Sequence, residues 1–245
     1  MPVKTLAMTS NKGKLILIPC TLGDTAIDAV LPLENTIHIN SCSEFIVENI
    51  RTARRFLIKS NIKTAIDDLE FHLLNKHTKA HELSAMLKRT AEGKNIGLLS
   101  EAGCPGIADP GADIVKIAHS MQITVIPLVG PSSILLSLMA SGLNGQNFAF
   151  SGYLPKDKAE RKKRILFLED LSLRQQQTQL FIETPYRNNH MLEDLCKYCH
   201  PNTILVVASN LTTESENITR DTIKNWRKKS VDLNKKPSVF LIHKY

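Results

Sequence analysis

The stretch from residue 100 to residue 111, called the 100–111 loop below, contains the residues best suited to hold a ligand closely. It has three glycines, two prolines and two acidic residues in twelve positions. Glycine lets a backbone approach a ligand, and proline holds that backbone in one conformation, which lowers the entropic cost of binding. This composition predicts recognition through backbone N–H and C=O groups. A strand-to-helix turn with Asp109 as the helix cap explains the same residues without a ligand.

Phosphate-binding motifs are missing from the chain. The sequence contains no G-x-x-x-x-G-K-[ST] and no G-x-G-x-x-G after a predicted strand. Sites for nucleoside triphosphates and dinucleotides therefore lose their main support. The remaining interpretation is a ligand recognised mostly by backbone groups and shape.

A basic stretch is the second feature with chemical potential. The 245 residues carry a net charge of +7. Positions 156–164 contain six basic and two acidic residues, so this stretch alone supplies +4 of that charge. Such a stretch is a candidate nucleic-acid contact. A solvated helix face supported by the Glu160 and Arg164 pair is the alternative. The basic residues are Lys156, Lys158, Arg161, Lys162, Lys163 and Arg164.

Two histidine and cysteine patterns resemble metal or haem sites. Cys196 and Cys199 with His200 match the C-x-x-C-H of haem attachment, but that chemistry needs export, which is not expected here. As a zinc site the group lacks a second pair of thiols. His77 and His81 have helical spacing without completing H-E-x-x-H. We therefore expect no metal and no haem.

Membrane spanning and export are not expected. No uninterrupted apolar run is longer than five residues, and the run at 15–18 ends at Pro19, so all of them are far below the ~20 residues that cross a bilayer. No apolar stretch of the kind found in a signal peptide follows Lys4. Five cysteines are an odd number, which fits a reducing compartment better than a disulfide framework. These features predict a cytoplasmic protein.

Short aliphatic runs alternate with helical patterns along the chain, which is typical of α/β proteins with largely parallel sheets and crossover helices. The predicted strands are 14–19, 36–41, 95–100, 123–129, 148–152, 178–183, 204–209 and 238–243. Ser43 is the predicted cap of a helix that reaches Lys59, with Phe45, Ile46, Ile50, Ala53 and Leu57 on one face. Further helices are predicted after the turn at 109–111, with Ile114, Ile117, Ala118 and Met121 as an apolar stripe, and over 132–141, opened by Pro131.

The segment 127–131, with its two prolines and one glycine, is the one plausible domain seam. We expect an N-terminal α/β domain over residues 1–128 and a C-terminal α/β domain over 129–245. Clefts between such domains are common ligand sites, and open α/β sheets bind ligands beyond the carboxyl ends of their strands.

Four motifs, in order along the chain, match the pattern of one protein family. The 100–111 loop reads SEAGCPGIADPG where the pattern has S-D-A-G-x-P-x-I-S-D-P-G. Then follow VGPSS at 129–133 for P-G-P-S-A, FSGYLP at 150–155 for F-x-G-F-L-P, and ETPYR at 183–187 for E-S-P-H-R. By these motifs the chain resembles the tetrapyrrole (corrin/porphyrin) methylase family, and within it the branch of small-subunit ribosomal RNA methyltransferases I. The resemblance covers nearly the whole chain.

The chain also departs from the family pattern. P-x-G-N-L-x-D appears as PCTLGD at 19–24, E-D-T-R as ENIR at 48–51, and R-E-L-T-K as SNLTT at 209–213. Glu101 replaces the aspartate of the central loop, one methylene longer. The changes spare most of the cofactor-side motifs and alter polar positions that can touch the acceptor.

The resemblance implies two α/β domains with S-adenosylmethionine in the cleft between them, and a homodimer. The cofactor contacts carried over from the motifs are Pro19, Ser100, Ala102, Gly103, Ile107, Ser132, Ser133, Tyr153, Leu154, Asn210 and Leu211. For each of these residues a turn or core role is the alternative.

The activity implied is methyl transfer to a ribose 2′-hydroxyl of small-subunit ribosomal RNA, which requires removal of the hydroxyl proton. Glu101 is the first candidate for the general base, followed by Glu48 and Asp109. Structural roles compete: Glu101 bonding its own loop, Glu48 pairing with Arg51 or Thr52, and Asp109 capping a helix. The basic stretch and Arg187 are then expected to contact RNA phosphates. Two other readings stay open, a methylase of a small acceptor such as a tetrapyrrole and a cofactor-binding protein without turnover.

Overall fold

The computed structural model describes residues 12–75 and 77–245, so the sequence around Lys4 lies outside the described residues. The chain forms two compact units. Of the described residues, the first unit comprises 12–21 and those within Ala26–Pro131; the second comprises Leu22–Thr25 and Ser132–Tyr245.

The first unit is built on a parallel sheet in the order β3-β2-β4-β1-β5. Its strands are β1 Leu15–Ile18, β2 Cys42–Val47, β3 Glu70–Leu73, β4 Asn95–Leu99 and β5 Val125–Pro127. Its helices are α1 Glu34–Asn40, α2 Ile50–Lys59, α3 Ala80–Met86 and α4 Gly111–Ser120. Because all five strands are parallel, their carboxyl ends lie along one edge of the sheet.

The core of the first unit covers both faces of this sheet. On β2, Phe45 and Val47 pack into one apolar cluster, while Ile46, between them, packs into another on the opposite face. All three side chains are buried. Strands buried on both faces read as continuous apolar runs, which explains the run at 45–47.

The second unit has a mixed sheet in the order β6-β7-β10-β8-β9. Its strands are β6 Phe148–Tyr153, β7 Thr178–Ile182, β8 Ile204–Ser209, β9 Asn217–Thr222 and β10 Ser238–His243. Its helices are α5 Ser133–Ser141, α6 Lys158–Gln175, α7 Asn188–Tyr198 and α8 Ile223–Trp226. Only β6 and β7 pair in parallel, whereas β10 runs antiparallel to β7 and β8, and β9 to β8.

Two units with α/β architecture are confirmed, and the expectation of largely parallel sheets holds for the first unit alone. After β7 the chain reaches β8 through α7, but β8 and β10 pair edge to edge in opposite directions. Antiparallel neighbours need no crossover helix, so a pattern of alternating strands and helices does not reveal them.

Two predicted elements near the start of the chain are wrong. Residues 36–41 belong mostly to helix α1 rather than to a strand. The helix predicted from Ser43 to Lys59 is two elements, strand β2 and helix α2. The cap of α2 is Asn49, whose side chain accepts a hydrogen bond from the Arg51 N–H at 3.0 Å. The apolar run at 45–47 fits helical periodicity and a doubly buried strand equally well, and burial on both faces selects the strand.

Within residues 12–75 and 77–245, no helix combines the length and the apolar character that crossing a bilayer demands.

Candidate active site

Four loops of the first unit meet at the carboxyl edge of the parallel sheet. They follow β2, β4, β1 and β5, which are neighbours in that order. The sequence places Glu48 directly after β2, Ser100 after β4, Pro19 after β1 and Val129 just beyond β5. The 100–111 loop therefore lies at the sheet edge where α/β proteins bind ligands.

The 100–111 loop folds back onto the end of β1. Gly103 and Cys20 form an antiparallel bridge, with the Cys20 N–H donating to the Gly103 carbonyl at 2.9 Å and the reverse bond at 3.1 Å. Gly103 has φ 73°, a left-handed conformation that glycine adopts at little cost. The Ser100 hydroxyl lies 3.2 Å from the Gly103 carbonyl, which ties the beginning of the loop to the same point.

Asp109 closes the other end of this loop. Its Oδ1 accepts hydrogen bonds from the Gly106 N–H at 2.9 Å and from the Gly111 N–H at 2.7 Å. Burial raises the pKa of Asp109, and these two backbone bonds oppose the shift. A Cβ on Gly111 would lie 2.8 Å from Asp109 Oδ1, so the turn requires glycine there. Asp109 thus fixes the turn before α4, while the N-cap residue of that helix is Pro110 and not Asp109.

The segment after β5 lies beside the 100–111 loop. The Cys104 thiol lies 3.5 Å from the Pro131 carbonyl oxygen. A Cβ on Gly130 would lie 2.2 Å from Pro19 Cβ, so only glycine allows this approach. Two large apolar side chains stay open to solvent in these two segments, Ile107 at 53% and Val129 at 72%. Backbone polar groups and exposed apolar side chains therefore occur together at this edge.

Glu48, Glu101 and Thr52 form a hydrogen-bonded network next to the loop. The Glu101 N–H donates to Glu48 Oε1 at 3.2 Å, and the Thr52 hydroxyl donates to Glu101 Oε1 at 2.5 Å. Thr52 thus bonds Glu101 rather than Glu48. The Glu101 carboxylate is bonded by Thr52 on α2, and the Glu48 carboxylate by the backbone of the 100–111 loop, so the two are held in a defined relative position.

The electrostatics of this edge are acidic. Burial raises the pKa of Glu48; the hydrogen bond from the Glu101 N–H opposes the shift, and the Asp109 and Glu101 charges add to it. Burial also raises the pKa of the Cys20 thiol, and the charges of Glu101, Glu48 and Asp109 raise it further. Three carboxylates therefore act together on one buried group, and a cationic ligand is favoured here over an anionic one.

The predicted cofactor residues of the second unit lie on three loops or element ends. Ser132 caps α5, its hydroxyl accepting from the Leu135 N–H at 3.5 Å, and Ser133 is the first residue of that helix. Tyr153 ends β6 with its side chain 56% exposed, whereas Leu154 is buried in the core of this unit.

Asn210 and Leu211 follow β8 in a tight turn. Asn210 has φ 51° and its side-chain amide donates to the Ser215 hydroxyl at 3.0 Å. The Leu211 side chain is buried. The Thr25 hydroxyl donates to the Thr212 carbonyl at 2.8 Å, which attaches Leu22–Thr25 to this turn. Any ligand contact of Leu154 or Leu211 therefore comes from the backbone rather than from the side chain.

The basic stretch divides into exposed and engaged side chains. The side chains of Lys156, Lys158, Lys162 and Lys163 are exposed. Arg161, 11% exposed, forms an ion pair with Asp194 at 2.7 Å, and Arg164 lies 3.4 Å from the Ser151 hydroxyl. Lys163 is paired with Glu160 at 2.8 Å.

Arg187 is also engaged within its own unit. It forms an ion pair with Glu183, whose side chain is 2% exposed, and donates to the Thr184 hydroxyl at 3.2 Å. The family motif at 183–187 therefore builds an internal ion pair after β7. The charge that Arg187 offers to an external phosphate is reduced by this buried partner.

One group of potential metal ligands occurs among the described residues. Side-chain atoms of Glu44, Glu70 and His72 lie within 4.8 Å of one another. Arg89 Nη1 lies 2.9 Å from Glu44 and 3.1 Å from Glu70, so a guanidinium is already paired with both carboxylates. The expectation of no metal stays a prediction.

Sequence reasoning did not identify the contact between Thr52 and Glu101 or the backbone bridge between Cys20 and Gly103. Both join residues that are far apart in the chain, and no local pattern reports them. One signal for the contact between Thr52 and Glu101 was available in the sequence. Glu48 follows one strand and Glu101 follows another, and the carboxyl ends of parallel strands meet at one edge of a sheet, so Thr52, four residues after Glu48, could be expected near Glu101.

Comparison with known proteins identifies relatives over most of the chain. The family of Tetrapyrrole (Corrin/Porphyrin) Methylases matches residues 44–226. A Bacillus subtilis (strain 168) protein named Ribosomal RNA small subunit methyltransferase I is 33% identical over 214 residues, 87% of this chain and 69% of that protein. Its Haemophilus influenzae namesake is 32% identical over 220 residues, 90% of this chain and 74% of that protein.

Solved structures share the fold at lower identity. The methyltransferase CobJ gives a TM-score of 0.63 with 17% identity and covers 94% of both chains. Uroporphyrin-III C-methyl transferase from Thermus thermophilus, crystallised with S-adenyl homocysteine, gives 0.58 with 15% identity over 95% of this chain and 98% of that one.

Proposed function

Because the chain belongs to the tetrapyrrole (corrin/porphyrin) methylase family, we propose that it is an S-adenosylmethionine-dependent methyltransferase of small-subunit ribosomal RNA. The observation that carries this function is its similarity, over 87% and 90% of its length, to two proteins named Ribosomal RNA small subunit methyltransferase I. The finer assignment, transfer to a ribose 2′-hydroxyl, is part of the proposal.

The residues at the carboxyl edge of the first unit fit this cofactor. S-adenosylmethionine supplies a methyl group bound to a positively charged sulfur. Glu48, Glu101 and Asp109 complement a cation, and the exposed Ile107 and Val129 side chains complement apolar groups. The backbone of the 100–111 loop is held by fixed hydrogen bonds, so little entropy is lost when it binds.

The proposed cofactor contacts in the first unit are Pro19, Ser100, Ala102, Gly103 and Ile107. Those proposed in the second unit are Ser132, Ser133, Tyr153, Leu154, Asn210 and Leu211.

Glu101 is the proposed general base. A ribose hydroxyl becomes a useful nucleophile as its proton is removed, and a positioned carboxylate performs this step. Thr52 fixes Glu101 Oε1 and Glu48 fixes the Glu101 N–H, so the carboxylate has a defined position. Glu48, whose pKa is raised by burial, is the second candidate for the same role.

The RNA contacts proposed for the second unit are Lys156, Lys158, Lys162 and Lys163, which are exposed, together with the partly engaged Arg161, Arg164 and Arg187. Contacts to phosphates position a strand without reading its bases. Specificity for one nucleotide is therefore expected to come from the shape of the RNA around the reacting ribose.

A transfer assay tests the function directly. Labelled S-adenosylmethionine is incubated with the protein and, separately, small ribosomal subunits, naked ribosomal RNA and porphyrinoids. Label in the ribosomal samples, located on a ribose by nuclease digestion and mass spectrometry, is the expected result. Label in the porphyrinoid sample alone would identify a methylase of a small acceptor, and label in none a binding protein without turnover.

Glu48→Gln is expected to make the folded protein more resistant to denaturant at pH 8 and to change little at pH 4. Because the pKa of Glu48 is raised by burial, the folded state binds more protons than the unfolded chain between the ordinary and the raised value. Stability contributed by this group is therefore lost as pH rises through that interval. Glutamine does not ionise and its oxygen still accepts from the Glu101 N–H. Denaturant midpoints measured at both pH values check this, and equal midpoints for the variant and the parent at pH 8 would contradict it.

We also propose, from the family resemblance, that the protein is a homodimer and works in the cytoplasm. Light scattering on the eluted peak of a sizing column measures the first, and a mass of one chain would contradict it. Fractionation of cells that express the chain tests the second.

A further inference from the structure

We propose that the RNA-binding surface continues from α6 across the end of α7 to α8. Resting on the proposed function, this inference adds a set of residues that the basic stretch does not contain. The set, called the Tyr198 surface, consists of Lys162, Lys197, Tyr198, Lys224, Arg227 and Lys228.

Tyr198 brings together lysines from two helices. The Nζ of Lys162, on α6, lies 5.3 Å from the centre of the Tyr198 ring, and the Nζ of Lys197, on α7, lies 5.6 Å from it. Each contact is a cation–π interaction of about 0.5–1 kcal/mol at an exposed site. Such contacts hold two positive charges near each other while leaving both ammonium groups able to meet an anion.

Arg227 offsets the partial negative charge at the carboxyl end of α7. The carboxyl end of a helix carries a partial negative charge, which repels phosphates. Arg227 donates to the Cys196 carbonyl at 2.7 Å and to the Cys199 carbonyl at 3.2 Å, so its guanidinium covers this end. The surface is therefore positive where an uncovered helix end would be negative.

The start of α8 is anchored at the same place. The Lys224 N–H donates to the Pro201 carbonyl at 2.9 Å, which fixes α8 beside the residues that follow α7. Lys224 and Lys228 are both exposed. The segment that carries these two lysines is thereby held beside the end of α7.

The charge balance of this region favours a polyanion. Residues 224–229 contain four basic residues and no acidic residue, an excess equal to that of the stretch at 156–164. Nearby acids already have partners: Asp194 is paired with Arg161 at 2.7 Å and Asp221 with Lys229 at 2.9 Å. Lys162, Lys197, Lys224 and Lys228 remain exposed cations.

Cations that come from three separate helices fit an RNA backbone, whose phosphates recur along a path, better than a single anionic ligand. Each phosphate contact releases counterions, so affinity depends on salt in proportion to the number of contacts. This dependence is the signature that the experiment measures.

The test compares Lys197→Gln/Lys228→Gln with the parent protein for binding to small ribosomal subunits and to their naked RNA over a range of salt. Removal of two contacts is expected to weaken binding about 20- to 60-fold at 0.1 M salt and to reduce the slope of log K against log salt by about 1.4–1.8. Lys88→Gln/Lys116→Gln is the matched control, because it removes the same net charge from exposed lysines of the first unit.

An unchanged salt slope for Lys197→Gln/Lys228→Gln would overturn the proposal. An equal loss of RNA affinity in the control variant would also overturn it, because it would indicate an effect of net charge alone. Binding to anionic lipid vesicles is measured in the same way. If the Lys197→Gln/Lys228→Gln change altered the salt slope for vesicle binding but not for RNA binding, the proposal would also be overturned. Because binding is read without turnover, this result is independent of the methyl-transfer assay. A parent protein that transfers no methyl group refutes the proposed function and leaves the slope to decide the surface.

Discussion

Glu101→Gln is expected to lower kcat for methyl transfer to ribosomal RNA by about 10²- to 10⁴-fold, the usual contribution of a general base. Glutamine has nearly the shape of glutamate and can still accept the hydrogen bond from Thr52, but it cannot take a proton. Affinity for S-adenosylmethionine, measured by calorimetry, is expected to fall far less than kcat, because Glu48 and Asp109 still complement the cation and the backbone of the 100–111 loop is unchanged.

Glu48→Gln is the matched comparison, because it neutralises the neighbouring carboxylate of the same network. It is expected to lower kcat much less than Glu101→Gln, since its oxygen keeps the bond to the Glu101 N–H. Full turnover in Glu101→Gln, with normal cofactor binding, would contradict the role given to Glu101. A large loss in Glu48→Gln alongside that result would assign the base to Glu48.

Arg161→Met is expected to reduce the free energy of unfolding by about 3–5 kcal/mol, the usual cost of leaving one partner of a buried ion pair unpaired. The Asp194 side chain is 8% exposed and its Oδ2 lies 2.7 Å from the Arg161 guanidinium. Methionine retains the apolar stem of arginine, so most of the loss arises from the unpaired carboxylate. Urea unfolding of the full chain measures it.

Arg161→Met/Asp194→Leu is the control for this prediction. Replacing both members of a buried pair by apolar residues is often neutral or stabilising, so the double variant is expected to recover most of the lost stability. A small loss in the single variant, together with a shallower salt dependence of RNA binding, would instead mean that Arg161 serves mainly as a phosphate contact.

The parts of the site that the sequence predicts are those whose chemistry is local. In the 100–111 loop, the need for glycine at residue 103, with its left-handed backbone, and at residue 111, next to Asp109, follows from the turn itself. The position of Asp109 before a predicted helix suggests a helix cap; in the structure the cap is Pro110, and Asp109 instead accepts hydrogen bonds from two backbone N–H groups of the turn.

The parts that the sequence does not predict depend on partners far along the chain. Arg161 looks like one of six equivalent basic residues until Asp194, 33 positions later, is seen to neutralise it. Thr52 precedes Glu101 by 49 positions, and only the fold places its hydroxyl 2.5 Å from that carboxylate.

The directions of neighbouring strands could not be predicted from the sequence for a similar reason. Alternation of polar and apolar residues reports burial and not the direction of the neighbouring strand, so the antiparallel pairs β8–β10 and β8–β9 went unpredicted. The edge strands β3 and β9 are only partly buried, and their weak apolar patterns explain why neither was predicted.

Calorimetry tests most directly whether the 100–111 loop binds the cofactor. S-adenosylmethionine is titrated into the parent protein, into Ala102→Phe and into Ala85→Phe. Both alanines are exposed, so neither phenylalanine has to enter a core. We predict that the parent and Ala85→Phe, whose change lies on α3, each take up one cofactor per chain, and that Ala102→Phe takes up none while its far-UV spectrum and thermal unfolding match the parent. No uptake by the folded parent, or equal uptake by Ala102→Phe, would contradict the account.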